Sequence, residues 1–438
     1  MTPRERMTAA LERGVPDRVP VFLRDLTLGL DVTGLSTPEV CAGAFYPELS
    51  AHSVIAAQRS LGHDAVVGSI QYCGMEVEML GGEVMFPQRG IPSVTRAPLD
   101  SPEKVDIAEL PDPCRDAPLS NVVASYRLVG QRIGREVAIL GNVEGPLTKA
   151  GILRGLDVLA LDMVSDPDVF LRTVRFSNDL TVDLCEAMCR NGVNSAMFVA
   201  AATDNPDLLG SEAFEKHTVP GLKRIVDAAR SEGLPTAFHP HGTFSHGEFS
   251  ELVDLALDAG IAGFQFAEGN DLAEAKKRWG GRTCVMGGVN AFTTLLLGPE
   301  ERIRAETKQC LDDCMEGGGY VLMCSCSLHR GMPLSHVRTM VDACGSLGRY
   351  GTARPCGGAP PSSGPRGGLL TCPSCGHRYR PIEGRGLACY GCPSAVDGCG
   401  MIRCPRCDAE SPLVPAMEKE LSTLLRRHRA QYGRAAFR

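Results

Sequence analysis

Eight short, largely apolar runs recur between Val19 and Ser325, and helical patterns separate the later ones. The runs are Val19–Asp25, Asp64–Ile70, Glu136–Val143, Ala196–Ala202, Pro235–Gly242, Ala262–Glu268, Thr283–Val289 and Gly319–Ser325. Most are apolar on both faces, the pattern of strands buried on both sides in a parallel sheet. Apolar residues at helical spacing fill Ser211–Glu232, His246–Ala259, Pro299–Met315 and Leu334–Leu347. Strand and helix in alternation, with eight strands, predict an α/β fold: a closed (β/α)8, or TIM, barrel over residues 1–347. Tyr72–Asn121 carries several prolines and interrupts the alternation. It is expected to form a long loop structure beside the barrel mouth.

After Leu347 the composition changes. Gly351–Gly368 reads GTARPCGGAPPSSGPRGG, so residues 348–368 are expected to be a flexible linker and a domain boundary. A small Cys-rich, metal-binding module, resembling a zinc ribbon, is expected over residues 369–412. A final helix, about Pro415–Tyr432, falls within residues 413–438. The chain's net charge of −7 argues against a nucleic acid or an anionic membrane as partner, because phosphate binding needs a positive field. No run of apolar residues is long enough to span a bilayer, and the charged start MTPRERMTAALERG lacks the apolar core of a signal peptide. The expected location is cytoplasmic.

Of 19 cysteines, seven fall between Cys372 and Cys407, six of them in CxxC pairs. In a cytoplasmic protein such pairs read as metal ligands rather than disulfides. Cys372, Cys375, Cys404 and Cys407 are expected to make one four-cysteine site. Cys389, Cys392 and Cys399 remain for a second, with His377 as a candidate fourth ligand. Structural zinc is favoured, with an iron–sulfur cluster as the alternative. Cys185/Cys189 and Cys310/Cys314, four apart on expected helices, read as small core residues.

In such barrels chemistry sits where strands end, at the C-terminal face. One strand end reads Ala237-Phe-His239-Pro-His241-Gly242, and two residues' spacing on an extended segment puts both rings on one side. Another reads Met323-Cys324-Ser325-Cys326. Two histidines and one cysteine make a three-ligand set with an open fourth position, the design of a catalytic zinc site. Glu144 and Asp204, at expected strand ends, are candidates for orienting a histidine or the substrate, or for holding loops. His329 and Arg330 are candidate anion contacts.

Several segments carry a resemblance: DRVPV (Asp17–Val21), GNVEGPLT (Gly141–Thr148), VPGLKRIVDAARSEGLPTAFHPHG (Val219–Gly242), GGVNAFTTLLLGPEE (Gly287–Glu301) and GGGYVLMCSCSLHRGMPLSHV (Gly317–Val337). Together they resemble the uroporphyrinogen decarboxylase superfamily, in particular its corrinoid-dependent methyltransferases of the methylcobalamin:coenzyme M kind. The resemblance implies a zinc site of the form His-x-Cys with a distant Cys. His239 matches the first ligand and Cys326 the distant one, using Gly318-Gly319-Tyr320 and Pro333 as anchors. His241 stands where the family usually has Cys. The implied reaction is methyl transfer from a corrinoid to a thiol such as coenzyme M, or to a related acceptor. Zinc makes the acceptor a thiolate, which attacks the methyl group of methyl-cobalt(III) and leaves cobalt(I). No DxHxxG segment is present for holding cobalamin, so a separate corrinoid protein is the implied partner. Tetrapyrrole decarboxylation is the alternative, but Phe22–Leu28 keeps only Arg24 of the decarboxylases' arginine segment. Gly68–Tyr72 has no carboxylate where they carry an aspartate. A non-catalytic barrel with a regulatory or docking tail is the third reading.

Overall fold

The computed structural model describes Met1–Gly351 and, in the tail, residues 370–375, 377–379, 401–404, 406 and 409–412. Two units divide the chain: Met1–Ala291 with Glu300–Gly351, and Phe292–Pro299 with Thr352–Arg438.

The first unit is built on a seven-stranded sheet. Its strands run Ala65–Val67, Ala138–Glu144, Ala196–Ala201, Thr236–Pro240, Gly263–Gln265, Cys284–Val289 and Tyr320–Cys324. Each pairs in parallel with the next in sequence, as in Leu140 with Ala196 and Ala200 with His239. Nearly every strand residue is buried, which is why the runs are apolar on both faces. The eighth run, Val19–Asp25, is not a regular strand. Val21 bridges in parallel to Leu322 and Phe22 to Ala65. The Phe22 amide reaches Leu322 O at 3.0 Å, and the Leu322 amide reaches Pro20 O at 3.0 Å. This segment therefore stands between last strand and first and closes the barrel. It stays short because Pro20 has no N–H to add to a ladder and Arg24 leaves extended geometry at φ +38°.

A buried ion cluster fastens this closure. Asp64, fully buried just before the first strand, accepts from Arg6 Nη1 at 2.5 Å, Arg18 Nη1 at 2.8 Å and the Val21 amide at 2.8 Å. With both its oxygens satisfied, the buried carboxylate is compensated.

The helix expected over Leu334–Leu347 is found with those bounds, and Pro299–Met315 contains the helix Glu300–Cys314. Ser211–Glu232 is not one helix. A short turn, Ser211–Ala213, leads through a π-helical segment, Phe214–Thr218, into the α-helix Val219–Ser231. Pro220, which lacks an N–H, follows the wide turn and accounts for the change in pairing. The helix expected from His246 starts only at Ser250, because Gly247 at φ +80° turns the chain first. A long helix, Pro167–Arg190, covers the sheet where no helix had been marked. The Tyr72–Asn121 excursion holds more order than a loop: a hairpin of Glu83–Met85 with Ser93–Arg96, and a helix, Pro102–Ile107. Among the described residues no helix is long and apolar enough to cross a membrane.

In the tail, two antiparallel hairpins are described, Leu370–Thr371 with Arg378–Tyr379 and Met401–Arg403 with Glu410–Pro412. Cys389, Cys392, Cys399, Cys407, most of the expected linker and the final helix lie outside the described residues.

Candidate active site

His239 ends the strand Thr236–Pro240, and the His241 amide still bonds to Ala201 O at 3.2 Å, so the chain stays extended across both. Beyond them Asn270 fastens the loop: its Nδ2 donates to Gly242 O at 3.0 Å, and its Oδ1 accepts from the Phe244 and Ser245 amides. Cys326 follows the strand Tyr320–Cys324. Ser325 anchors that turn, its amide bonding to Val289 O at 2.9 Å and its hydroxyl donating to Glu268 Oε1 at 2.6 Å. Of the two cysteines there, Cys324 turns its sulfur to the carbonyl of Cys326 at 2.7 Å and to that of Leu23 at 3.9 Å. Cys326 meets the histidines.

Ligand atoms of His239, His241 and Cys326 all lie within 4.8 Å of one another. The Cys326 sulfur is 3.7 Å from His241 Nε2, and the two imidazoles lie 5.0 Å apart between centroids, inclined at 64°. His239 is 1% exposed, and among the described residues neither ring nitrogen has a hydrogen-bond partner. A buried imidazole orphaned at both nitrogens is costly unless another group takes one of them. A metal ion does so naturally, and two imidazoles with one thiolate suit zinc. Burial raises the Cys326 thiol, but the His239 and His241 rings beside its sulfur outweigh burial and hold it well below the usual thiol range. Burial alone would lower His241. Cys326 reverses that and leaves the imidazole raised. Burial dominates at His239, whose imidazole is lowered. The cluster thus supplies a thiolate and a neutral imidazole, the forms that ligate metal.

Four other expected site residues have different work. Glu144 and Glu76 share the buried Lys149, whose Nζ lies 2.8 Å from Glu144 Oε2 and 2.6 Å from Glu76 Oε1. The Glu144 carboxylate is therefore ion-paired rather than offered to a histidine. Asp204 accepts from the Leu147 and Thr148 amides at 2.9 Å and from the Thr148 and Thr218 hydroxyls at 2.7 Å. It caps the helix Pro146–Arg154 from a neighbouring strand end, which is the loop-holding role. Burial lowers His329 to about 4, so its ring is neutral, bonded to Ser327 Oγ at 2.8 Å and to Thr27 Oγ1 at 3.3 Å. Arg330 is engaged within the protein. Its guanidinium grips Asp31 Oδ1 through Nε at 3.0 Å and Nη2 at 2.9 Å, and also reaches Thr37.

Two residues gain importance that the motifs alone did not assign. Glu268 reaches the cluster through Ser325, and its charge acts on His241. Arg24, 5% exposed, donates Nε to Asn142 Oδ1 at 3.0 Å and lies over the Phe198 ring at 5.1 Å. Phe198 is next to His239, 6.0 Å between centroids. The sequence signals for them are place alone: Arg24 lies in Phe22–Leu28 near the end of the first apolar run, and Glu268 ends the run Ala262–Glu268.

In the tail, sulfurs of Cys372, Cys375 and Cys404 gather within 4.8 Å, with Cys375 and Cys404 at 3.8 Å. The turn amides that shape such a knuckle are in place, Cys372 N to His377 O at 2.8 Å and Cys404 N to Ala409 O at 3.0 Å.

Comparison with known proteins adds a lineage to this geometry. The sequence pattern of the family described as uroporphyrinogen decarboxylase (URO-D) matches residues 2–347. Two methylcobamide:CoM methyltransferases of Methanosarcina barkeri are 29% and 30% identical over 349 residues, 78% of this chain and 97% of each relative. A solved methyltransferase from Methanosarcina mazei superposes with a TM-score of 0.68 at 25% identity, covering 79% of this chain and 99% of that one.

Proposed function

Since the chain belongs to the uroporphyrinogen decarboxylase family, we propose that it is a zinc-dependent methyltransferase of that family, moving a methyl group from a corrinoid to a thiol. The observation that carries this reading is His239, buried and unsatisfied at both nitrogens within ligand distance of His241 and Cys326. His239, His241 and Cys326 would hold zinc, which when bound supplies a Lewis acid with one position open for the acceptor's sulfur.

The protein's own groups then do the rest. The three ligands come from two strand ends fixed by the sheet, so the acceptor's place is set before it binds. Asn270 and Ser325 hold the turns that carry them. The thiolate forms a sulfur–carbon bond as the cobalt–carbon bond breaks, and the electron pair stays on cobalt(I). The acceptor's proton leaves to solvent. His241 in place of a second thiolate would leave less negative charge around a zinc held there, which would make it a stronger Lewis acid toward the acceptor's sulfur. A corrinoid protein is the proposed carrier, because the sequence contains no cobalamin-holding histidine motif. Cys372, Cys375 and Cys404 are proposed ligands of a structural zinc in the tail, with Cys407 as the fourth and a second site at Cys389, Cys392 and Cys399.

The test is the visible spectrum of methylcobalamin mixed with zinc-loaded full-length protein and coenzyme M. The expected result is conversion to demethylated corrinoid at a rate set by enzyme, abolished in Cys326→Ser. No conversion with any thiol would refute the reading. Decarboxylation of a tetrapyrrole by the metal-stripped protein would favour the alternative.

A further inference from the structure

Gln265 stands beside His239 in the barrel wall, and each has a polar atom that the other can satisfy. The strand Thr236–Pro240 pairs in parallel with Gly263–Gln265, Ala237 opposite Gly263 and Phe238 opposite Phe264. The next step of that ladder brings His239 and Gln265 to one level. Side chains alternate between the two faces of a strand. Phe238 and Phe264 meet edge-on at 5.9 Å between centroids, and Phe238 also meets Phe214 of the π-helical segment, so these rings mark the outer face. His239 and Gln265 therefore point into the barrel, where they are 1% and 0% exposed.

Three buried atoms at this level lack a hydrogen-bond partner among the described residues: both ring nitrogens of His239, and Oε1 of Gln265. The other end of the Gln265 amide is fixed. Its Nε2 donates at 2.8 Å to the carbonyl of Cys324, the end of the strand that leads to Cys326. That bond decides which end of the amide is oxygen. Gln265 thus holds the strand end of Cys326 with its donor and leaves its acceptor on the level of His239. The other side-chain amide oxygens left bare among the described residues, those of Gln71 and Asn178, belong to a loop and a helix. Only that of Gln265 is on a strand beside the strand of His239.

A neutral imidazole has one nitrogen that accepts and one that donates. One nitrogen of His239 lies within 4.8 Å of the ligand atoms of His241 and Cys326. With that nitrogen ligating, the other carries the proton. A ligating histidine almost always passes this N–H to an acceptor, which fixes its tautomer and its ring plane. Neighbouring strands are about 4.8 Å apart, so two inward side chains at one level are in reach of each other once the ring takes the plane that ligation imposes.

We propose that Gln265 is a positioning residue of the strand-end site: its Oε1 accepts the ring proton that His239 keeps while its other nitrogen ligates the metal. One amide then orients a ligand from each side of the site, His239 through the oxygen and the Cys326 turn through the nitrogen. This role rests on the zinc reading of the cluster, and the two fail separately.

The test follows barrel zinc in the full-length protein, read as the roughly one equivalent that Cys326→Ala lacks, during titration with a chelator. Wild type is compared with Gln265→Leu, which removes both ends of the amide, and Gln265→Glu, which removes only the donor to Cys324 O and keeps an acceptor toward His239. Gln265→Leu is expected to weaken barrel zinc by roughly 10- to 100-fold, the usual cost of losing such a partner. Gln265→Glu is expected to keep most of the wild-type affinity. Wild-type affinity in Gln265→Leu overturns the proposal. Equal losses in the two variants also overturn it, because they assign the effect to the bond with Cys324 O. Wild type holding no more zinc than Cys326→Ala refutes the zinc reading itself, and the role of Gln265 falls with it. Nuclear magnetic resonance of the zinc-loaded protein with 15N-labelled histidine gives a second readout. The ring N–H proton of His239, identified by its loss in His239→Gln, is expected at a hydrogen-bonded, downfield position in wild type and to move upfield in Gln265→Leu. Should Gln265→Leu fail to fold, the wild-type spectrum decides alone: a His239 ring proton at the position of an unbonded imidazole N–H would overturn the proposal.

Discussion

Lys149→Met leaves two buried carboxylates without the cation they share, and the size of the damage follows from the geometry. Glu76 Oε1 and Glu144 Oε2 sit 2.6 and 2.8 Å from the same Nζ, on side chains 2% and 11% exposed around a lysine 1% exposed. The two oxygens are therefore no farther apart than the sum of those distances, roughly 5.4 Å. Like charges at that separation repel by about 3 kcal/mol at an effective dielectric near 20. The pair can escape by protonating one carboxyl, which for an ordinary glutamate at pH 7 costs about 3.5 kcal/mol. Both routes agree on a loss of roughly 3 kcal/mol, within the range for breaking a buried ion pair. The loss depends on pH. In the variant the folded-state carboxyl pKa lies above the unfolded value, so the penalty is absent below the unfolded pKa, about 4.5, and grows as pH rises through the folded one. Trp279 is the chain's one tryptophan and is 1% exposed in the barrel, so its fluorescence reports unfolding in denaturant. Lys149→Met is expected to be about 3 kcal/mol less stable at pH 7.5 and to recover much of that by pH 5. A variant within about 1 kcal/mol of wild type at pH 7.5, or a deficit independent of pH, would refute this reasoning.

Other consequences are equally concrete. Gly68→Ala puts a Cβ 2.2 Å from the Tyr126 ring, so the variant is expected to lose about 2 kcal/mol or more in the same fluorescence assay. Arg330→Met removes the grip on Asp31 and Thr37 and is expected to lower stability by about 3 kcal/mol. A rise in acceptor KM without that loss would instead make Arg330 a substrate contact. After metal removal, iodoacetamide at pH 6.5 is expected to alkylate Cys326, held low by its histidines, and to spare Cys284, Cys314 and Cys344, pushed up to about 12 by burial. Peptide mass spectrometry reads the sites, and an unlabelled Cys326 would contradict the thiolate assignment.

The barrel was legible because a parallel sheet buried on both faces leaves continuous apolar runs, and seven of the eight runs hold a regular strand. The eighth, at Val19–Asp25, was legible as a position but not as a form. Its ladder fails at Pro20 and Arg24 through backbone constraints that an apolar pattern does not record. His239, His241 and Cys326 could be singled out because the HxH and CxC spacings are local and strand ends are where such barrels place ligands. That the structure brings them within ligand distance is a long-range fact, spanning 85 residues between His241 and Cys326. The same distance problem hid the partners of Asp204 and Arg330, and the second carboxylate on the lysine that Glu144 shares. Lys149 pairs with Glu76 73 residues away, Asp204 caps a helix 57 residues back, and Arg330 meets Asp31 across 299 residues. Asp204 and Arg330 looked available in sequence because their partners were out of view. Arg24 shows the reverse: an arginine at the place of a decarboxylase segment is buried against Asn142 and the Phe198 ring.

Zinc content by mass spectrometry of the full-length protein, wild type against Cys326→Ala and His239→Ala, tests the central claim most directly. The tail sites are common to all three proteins, so the difference reports the barrel alone. Each variant is expected to hold about one zinc fewer per chain than wild type, as a single three-ligand site requires. Equal zinc in all three would contradict a metal centre at the strand ends and, with it, the thiolate chemistry assigned to this barrel.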